Sequence, residues 1–361
     1  MIPKKDLMDL ATRLKSKIDK FCAISQYGPL TFFEVYTIFA FEYFKDQKVD
    51  YAVLETGLGG RLDATNVVEP VICGISSISH DHTKELGESL AEIAGEKAGI
   101  IKSREALSGG ESGHDENREL IVVSAPQEEE VTVVLKKQSV QEGVLFYEIG
   151  KDIKFDLVNS TLDYQEFSVK GNLGKFNNLR IKLLGRHQLV NAALAVSLVS
   201  GIAIRERLGL NPRAFKKGLE RAFWPARFER ISLNPLIILD GAHNEASARV
   251  LVETVKHNFP AKKIILVLGI SSDKNIKGIA SVLFPVADKV ILTRVDSPRA
   301  ARPDDIFSIG KEFLKGKKTE LTRSVEEALK IVHSRAPADS LILITGSLFV
   351  AGEARAILLR K

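Results

Sequence analysis

A chain of 361 residues is longer than one typical domain, so two are expected. Hydrophobic residues at 45% and charged residues at 27% belong to a packed globular protein and exclude a disordered one. The net charge of +5 spreads 51 basic residues among 46 acidic ones without a basic run, which excludes a nucleic-acid arm and favours small polyanionic ligands.

Leu7, Leu10, Leu14, Ile18 and Phe21 recur at helical spacing behind Asp6, the expected N-cap. Pro29 to Glu34 opens a second helix. Its Phe32, Tyr36, Phe39, Phe41 and Phe44 cover most of its girth, so burial on several sides is expected. The β-branched and aromatic run Val49 to Leu54 reads as a buried parallel strand, followed by Glu55 and the glycine-rich turn Gly57 to Gly60. Open α/β sheets hold their ligands at such strand ends. Arg61, Asp63, Thr65 and Asn66 then put four polar groups within six residues. A second apolar run, Val71 to Ile78, ends at Ser79-His-Asp-His-Thr83, and two such ends side by side bring Glu55 and the histidines to one spot. Ser89-Leu-Ala-Glu92 is a capping box that starts a helix carrying Glu96, Lys97 and Gly99.

Residues 103–120 are polar and glycine-rich and read as a loop. Ile121–Val123, Val131–Leu135 and Val144–Tyr147 read as short strands, and Asp156 to Leu184 as hairpins turning at Gly171-Asn172 and Asn177-Asn178. No function is legible in 103–180. Gly185 to Val196 begins an Ala-rich helix, and Asn211-Pro212 caps another that ends near Phe223. The most apolar stretch, Leu189 to Ile204, carries Asn191, Ser197 and Ser200 and reads as too short to span a bilayer. Trp224 to Glu229 is the expected linker. Beyond it, Leu236–Leu239, Ile264–Leu268, Val290–Val295 and Leu341–Ile344 alternate with helical stretches, the pattern of a second, smaller, Rossmann-like parallel α/β domain. Cys22 and Cys73 are the only cysteines and supply neither a disulfide framework nor a cysteine zinc site. Met1 is followed by no signal-peptide h-region, so a soluble, cytoplasmic protein is expected, with no membrane and no nucleic-acid partner.

The string Glu55-Thr-Gly-Leu-Gly-Gly-Arg-Leu-Asp-Ala-Thr-Asn66 matches E-x-G-x-G-G-R-x-D-x-T-N without a gap. Here the sequence resembles the folylpolyglutamate and dihydrofolate synthases of the Mur ligase superfamily. Further matches are Asp81-His-Thr83, Glu96-Lys-Ala-Gly-Ile100, His187-Gln-Leu-Val-Asn191, Trp224-Pro-Ala-Arg227, Asp240-Gly-Ala-His-Asn244, Ser271-Ser-Asp-Lys274, Ser297-Pro-Arg-Ala300 and Thr345-Gly-Ser-Leu348. The resemblance runs from about residue 29 to the C-terminus and is weakest in 103–180. It implies an α/β fold with a Mur-ligase-type central ATPase domain over 1–225, mostly parallel in its sheet, and a Rossmann-like ligase domain over 226–361.

The resemblance implies ATP and Mg²⁺ as cofactors, L-glutamate and a folate or dihydropteroate as substrates, and a monomer. Glu55, His82 and a carbamylated Lys97 are implied as the metal site, with Lys97, Arg227 and His243 catalytic. A carbamate needs a neutral amine, so Lys97 is expected in a desolvated place. Zinc on His80 and His82 lacks a third ligand at suitable spacing. Asn191, Arg227 and Asp240 are implied for ATP. Thr31, Phe32, Phe33 and Glu34 beside a pterin, Leu62, Asp63 and Ala64 in the signature loop, and His243 and Ser347 for the amino acid are implied for substrates.

One family element has no counterpart. No G-x-x-G-K-[ST] phosphate loop occurs in the chain, and Gly99-Ile-Ile-Lys102-Ser103 lacks the glycine before the lysine. Family members carry that loop upstream of the part matching Pro29. The chain is therefore expected to begin late, to be inactive alone, and to need a P-loop-bearing upstream segment as partner. The alternative is a P-loop-less relative or partial subunit that binds folate or glutamate, or complements a P-loop chain, without ligase activity of its own.

Overall fold

Lys4–Ile24 forms α1 behind an N-cap at Pro3, in a computed structural model that describes residues 2–102, 120–337 and 339–360. Asp6 stands inside the first turn rather than at the cap, where its charge still complements the helix dipole. Thr31 caps α2 (Phe32–Gln47) in a reciprocal capping box with Glu34. The two helices are tied by Arg13, which reaches Asp46 at 2.6 Å. Thr37 is the one fully buried residue of α2, and Phe32 is 75% exposed, so the expected all-round burial is not found.

Two compact units divide the chain, Met1–Tyr147 and Glu148–Lys361. In the first, β1 (Ile72–Ile75) pairs in parallel with β2 (Ile121–Ser124), and β3 (Leu145–Glu148) extends the sheet in the order β1-β2-β3. Between them run α3 (Thr83–Leu86), α4 (Leu90–Ala98) and α5 (Glu129–Gln141). Cys73, Ile75, Ile93, Ala94, Val122, Val131 and Leu135 form the core. The strand expected at Val131–Leu135 is helical. Its β-branched residues suggest a strand, but Val131, Leu135 and Ser139 recur every four positions and are buried, and tertiary burial overrides propensity.

The strand expected at Val49–Leu54 is also absent. Tyr51–Thr56 makes no backbone hydrogen bond among the described residues, and Val53 is 97% exposed. An apolar run supplies faces for a strand, but a ladder requires a neighbouring chain. The loop expected over 103–120 lies, apart from residue 120, outside the described residues.

In the second unit, β4 (Ile153–Ser160), β5 (Gln165–Gly171) and β6 (Gly174–Ile181) form an antiparallel sheet. The hairpin turn follows Gly171 as expected. Asn177-Asn178 is not a turn: Asn178 has φ 53° inside β6, where the pairing with β5 slips, a bulge. Packed on this sheet is α6 (Arg186–Arg205), 20 residues long and apolar enough to cross a membrane by length and composition. The expectation of a stretch too short is thus corrected; Leu189, Ala192, Ala193, Val196 and Ser197 on this helix are buried in the core. Asn211 caps α7 (Pro212–Arg221).

The remaining sheet has the order β11-β10-β9-β12-β8-β7. Its strands are β7 (Glu229–Leu233), β8 (Leu236–Leu239), β9 (Ile264–Leu268), β10 (Lys289–Leu292), β11 (Lys318–Leu321) and β12 (Leu341–Thr345). All pairings are parallel except β7 with β8. The helices α8 (Glu245–Asn258), α9 (Ile276–Leu283), α10 (Pro303–Leu314), α11 (Val325–Arg335) and α12 (Leu348–Leu358) alternate with these strands. The four apolar runs are the inner strands, buried on both faces. The edges β7 and β11 escaped the sequence reading because edge strands carry charge, here Glu229, Arg230, Lys318 and Glu320. The boundary expected at 225/226 falls inside the second unit, just ahead of β7. β12 inserts between β8 and β9, and open sheets of this kind hold ligands at strand carboxyl ends.

Candidate active site

Asp63 organises the signature loop of the first unit. Its Oδ2 accepts the Gly57 and Leu58 N–H groups at 2.8 and 2.9 Å, and its Oδ1 accepts the Thr65 N–H and hydroxyl at 2.9 and 2.5 Å. Burial pulls this carboxyl upward, but the hydrogen bonds from Thr65, Leu58 and Gly57 outweigh it and hold it below the usual carboxylate range. Asp63 thus builds the loop with the same oxygens a substrate would need. Leu62, beside it, is 80% exposed, and Ala64 is half-buried.

This loop is locked onto the end of α4. The Arg61 N–H donates to the Glu96 carbonyl at 2.7 Å, and its guanidinium reaches the Glu96 carboxylate at 2.8 Å. The Asn66 amide donates to the Gly99 carbonyl at 2.9 Å, and Lys102 Nζ donates to the Asn66 carbonyl at 2.7 Å. A Cβ at Gly99 would stand 2.3 Å from Arg61 Cβ, and one at Gly60 2.8 Å from the Glu96 carbonyl, so both glycines serve close backbone approach. Lys97 sits in the clamped turn, half-buried, with its Nζ unpaired among the described residues.

Of the other residues expected here, Thr31 and Glu34 spend their polar groups on the helix cap. Phe33 packs against Gly57, so the start of α2 does meet the signature loop. Glu55 and His82 are exposed, and neither side chain makes a hydrogen bond or ion pair among the described residues. His82 caps α3 at φ 52°. No group of three His, Cys, Asp or Glu able to hold a metal occurs among the described residues. A single carboxylate and an imidazole are too few ligands for a hard divalent cation. The set fits one only if Lys97 contributes carbamate oxygens.

In the second unit, Asp240 ends β8. Its carboxylate accepts the Phe228 and Ala242 N–H groups, each at 2.9 Å. Burial raises this carboxyl, against those bonds and the nearby charges of Arg227 and His243. His243 Nδ1 contacts the Gly241 carbonyl at 2.9 Å, which assigns the ring hydrogen to Nδ1. Burial, then the Arg227 charge, pushes His187 down to about 4. Arg227, Asp240, His243 and His187 are therefore neighbours. Asn191, one turn along α6 from His187, is exposed and bonds Gln188 at 3.2 Å.

A pocket at the carboxyl ends of β9, β10 and β12 is lined by Ser271, Arg294, Ser297, Arg299 and Ser347. Three motifs scattered in sequence meet here. Ser347, buried, caps α12 by accepting the Val350 N–H at 3.1 Å. Arg294 was not foreseen; its position just past β10 was the available signal.

Residues 23–199 match the Mur ligase middle domain and residues 226–348 the Mur ligase glutamate ligase domain. The dihydrofolate synthase/folylpolyglutamate synthase of Bacillus subtilis is 32% identical over 332 residues, covering 92% of this chain and 73% of that protein. A Mycobacterium tuberculosis folylpolyglutamate synthase complexed with ADP and AMPPCP superimposes with a TM-score of 0.86 at 29% identity, covering 100% of this chain and 80% of that one. An FPGS–AMPPCP–folate complex gives 0.77 at 26% identity, with 99% and 78% covered. The chain belongs to the folylpolyglutamate/dihydrofolate synthase family of Mur ligases.

Proposed function

We propose that this chain carries most of the site of an ATP-dependent ligase joining L-glutamate to a folate or dihydropteroate, with residues 1–225 as middle domain and 226–361 as glutamate ligase domain. The observation that carries the reading is the gathering of Arg227, Asp240 and His243 at the carboxyl end of β8, where sheets of this order hold ligands.

The γ-phosphoryl group of ATP passes to the substrate carboxylate oxygen, releasing ADP and leaving an acyl phosphate. The glutamate amine attacks the acyl carbon and loses a proton, and phosphate departs with the C–O electron pair. Arg227, unpaired among the described residues, offsets charge on the transferring oxygens. His243 and Ser347 orient glutamate, and Asn191 and Asp240 the nucleotide. Phe32, Phe33, Leu62 and Ala64 supply apolar contact for a pterin, while Thr31, Glu34 and Asp63 shape the backbone around it. Glu55, His82 and a carbamylated Lys97 would hold Mg²⁺, which supplies further charge neutralisation when bound.

We propose further that the triphosphate cradle comes from outside these 361 residues. No Walker A sequence occurs among them, and Tyr51–Thr56 leaves its backbone open to a further strand. This second observation favours complementation by a P-loop-bearing segment over a relative that only binds. A P-loop contributes several oriented amides and a lysine, and misplacing a reacting phosphoryl group by about 1 Å costs roughly a hundredfold.

The test supplies the purified chain with ATP, Mg²⁺, glutamate and dihydropteroate or a reduced folate. No folate-dependent ADP release is expected until a P-loop segment is added or fused. In that restored protein Lys97→Ala should abolish turnover. Folate-dependent ADP release by the chain alone would overturn the P-loop proposal, and wild-type turnover by Lys97→Ala would overturn the carbamate.

A further inference from the structure

The linker turn holds its arginine between two conformations that side chains seldom adopt. Ala226 has φ 55° and Phe228 φ 47°, one on each side of Arg227, and both are buried. The left-handed region disfavours any residue with a Cβ, so the surroundings must impose it.

Four contacts do so. The Phe228 N–H donates to Asp240 at 2.9 Å, and the Ala226 carbonyl accepts the Gly241 N–H at 2.8 Å. The Ala226 N–H donates to Glu229 Oε2 at 2.9 Å. Glu229 in turn is gripped by Arg355 of α12, whose Nε lies 3.0 and 2.9 Å from its two carboxylate oxygens. The Glu229 side chain is only 8% exposed. A carboxylate so enclosed is held in position by its cation, and a buried amide needs a partner. The chain of cause therefore runs from Arg355 through Glu229 and the Ala226 N–H to the backbone of Arg227.

We propose that Glu229 and Arg355 are positioning residues for Arg227: their ion pair, 126 residues apart in sequence, holds the left-handed turn that fixes where the guanidinium stands. The functional meaning rests on the reading of Arg227 as the phosphate-facing cation, but the geometry can be tested without turnover.

His187 reports on Arg227, because the guanidinium charge helps keep its imidazole at about 4. The experiment is an NMR titration of the histidines in the full chain, for wild type, Arg227→Ala, Arg355→Gln, Arg355→Lys and the double variant Arg227→Ala/Arg355→Gln. Arg227→Ala should raise the His187 pKa. Arg355→Gln should reproduce most of that rise, Arg355→Lys much less, and the double variant should add nothing to Arg227→Ala, since Arg355 acts through Arg227. Glu229→Gln, if it folds, should follow Arg355→Gln.

An unmoved His187 in Arg355→Gln, beside a clear rise in Arg227→Ala, would overturn the proposal. So would additive shifts in the double variant, which would mean general loosening, or no response to Arg227→Ala. Ligase assays of Arg227→Ala in a P-loop-restored protein separate the two questions. Normal activity there would sink the role given to Arg227 while leaving the positioning intact.

Discussion

The Asn66 side-chain amide donates to the Gly99 carbonyl at 2.9 Å, joining the signature loop to the end of α4 across 33 residues of sequence. The same amide contacts the Arg61 carbonyl at 3.2 Å, so one side chain spans both partners of the closest backbone approach in this unit's motif. The asparagine closing the signature is a structural bridge, and it fixes the turn that carries Lys97.

That approach leaves no room at Gly99. An added Cβ would meet Arg61 Cβ at 2.3 Å, Cα at 2.5 Å and N at 2.9 Å, mostly backbone that cannot step aside. Gly99→Ala should destabilise the first unit by about 1–3 kcal/mol. Gly95→Ala, four residues earlier with nothing within 4 Å of its Cβ, should be neutral or stabilising by up to about 1 kcal/mol. Urea midpoints of the two variants check the opposite signs; equal midpoints would contradict the packing.

Removing Asp63 strips four hydrogen bonds from the loop. Asp63→Ala should cost about 1–3 kcal/mol and increase amide exchange at Gly57, Leu58 and Thr65. In the wild type the folded carboxyl lies below its unfolded value. Its stabilisation is complete above the ordinary carboxylate pKa of about 3.9 and is lost as pH falls through the lower folded value. Urea unfolding from pH 6 down to about 3 should show that loss in wild type and not in Asp63→Ala.

His187 should make stability depend on pH in a different window. Its pKa is depressed to about 4, first by burial and then by Arg227, against an unfolded value of 6.5. Between these values the unfolded chain binds the extra proton, so stability rises with pH across the window and is lost as pH falls from about 6.5 to about 4. Denaturant unfolding of the second unit at pH 7 and pH 5 should differ by more in wild type than in His187→Gln. Equal differences would mean that His187 titrates normally.

Much of the architecture was legible beforehand because it rests on local pattern. The inner strands of the last sheet are apolar runs buried on two faces, and the capping boxes at Ser89–Glu92 and Thr31–Glu34 are short-range chemistry. Charged edge strands, the bulge at Asn178 and the helical valines of Glu129–Gln141 were not, since each depends on what lies beside it. At the site, the motif strings carried no record of which hydrogen bonds their side chains make. Asp63, Asn66 and Thr31 hydrogen-bond a loop or a helix cap, and the Glu229–Arg355 pair carried no signal of its own.

By itself the sequence determined the family and the α/β class, because motif spacing and glycine placement are properties of neighbours along the chain. Only the tertiary structure decided which carboxylates also hold the backbone of a loop. Asp63 and Asp240 look like ligand groups in a string of letters. Folding surrounds both with backbone N–H donors, and a buried amide must find an acceptor wherever the chain brings one.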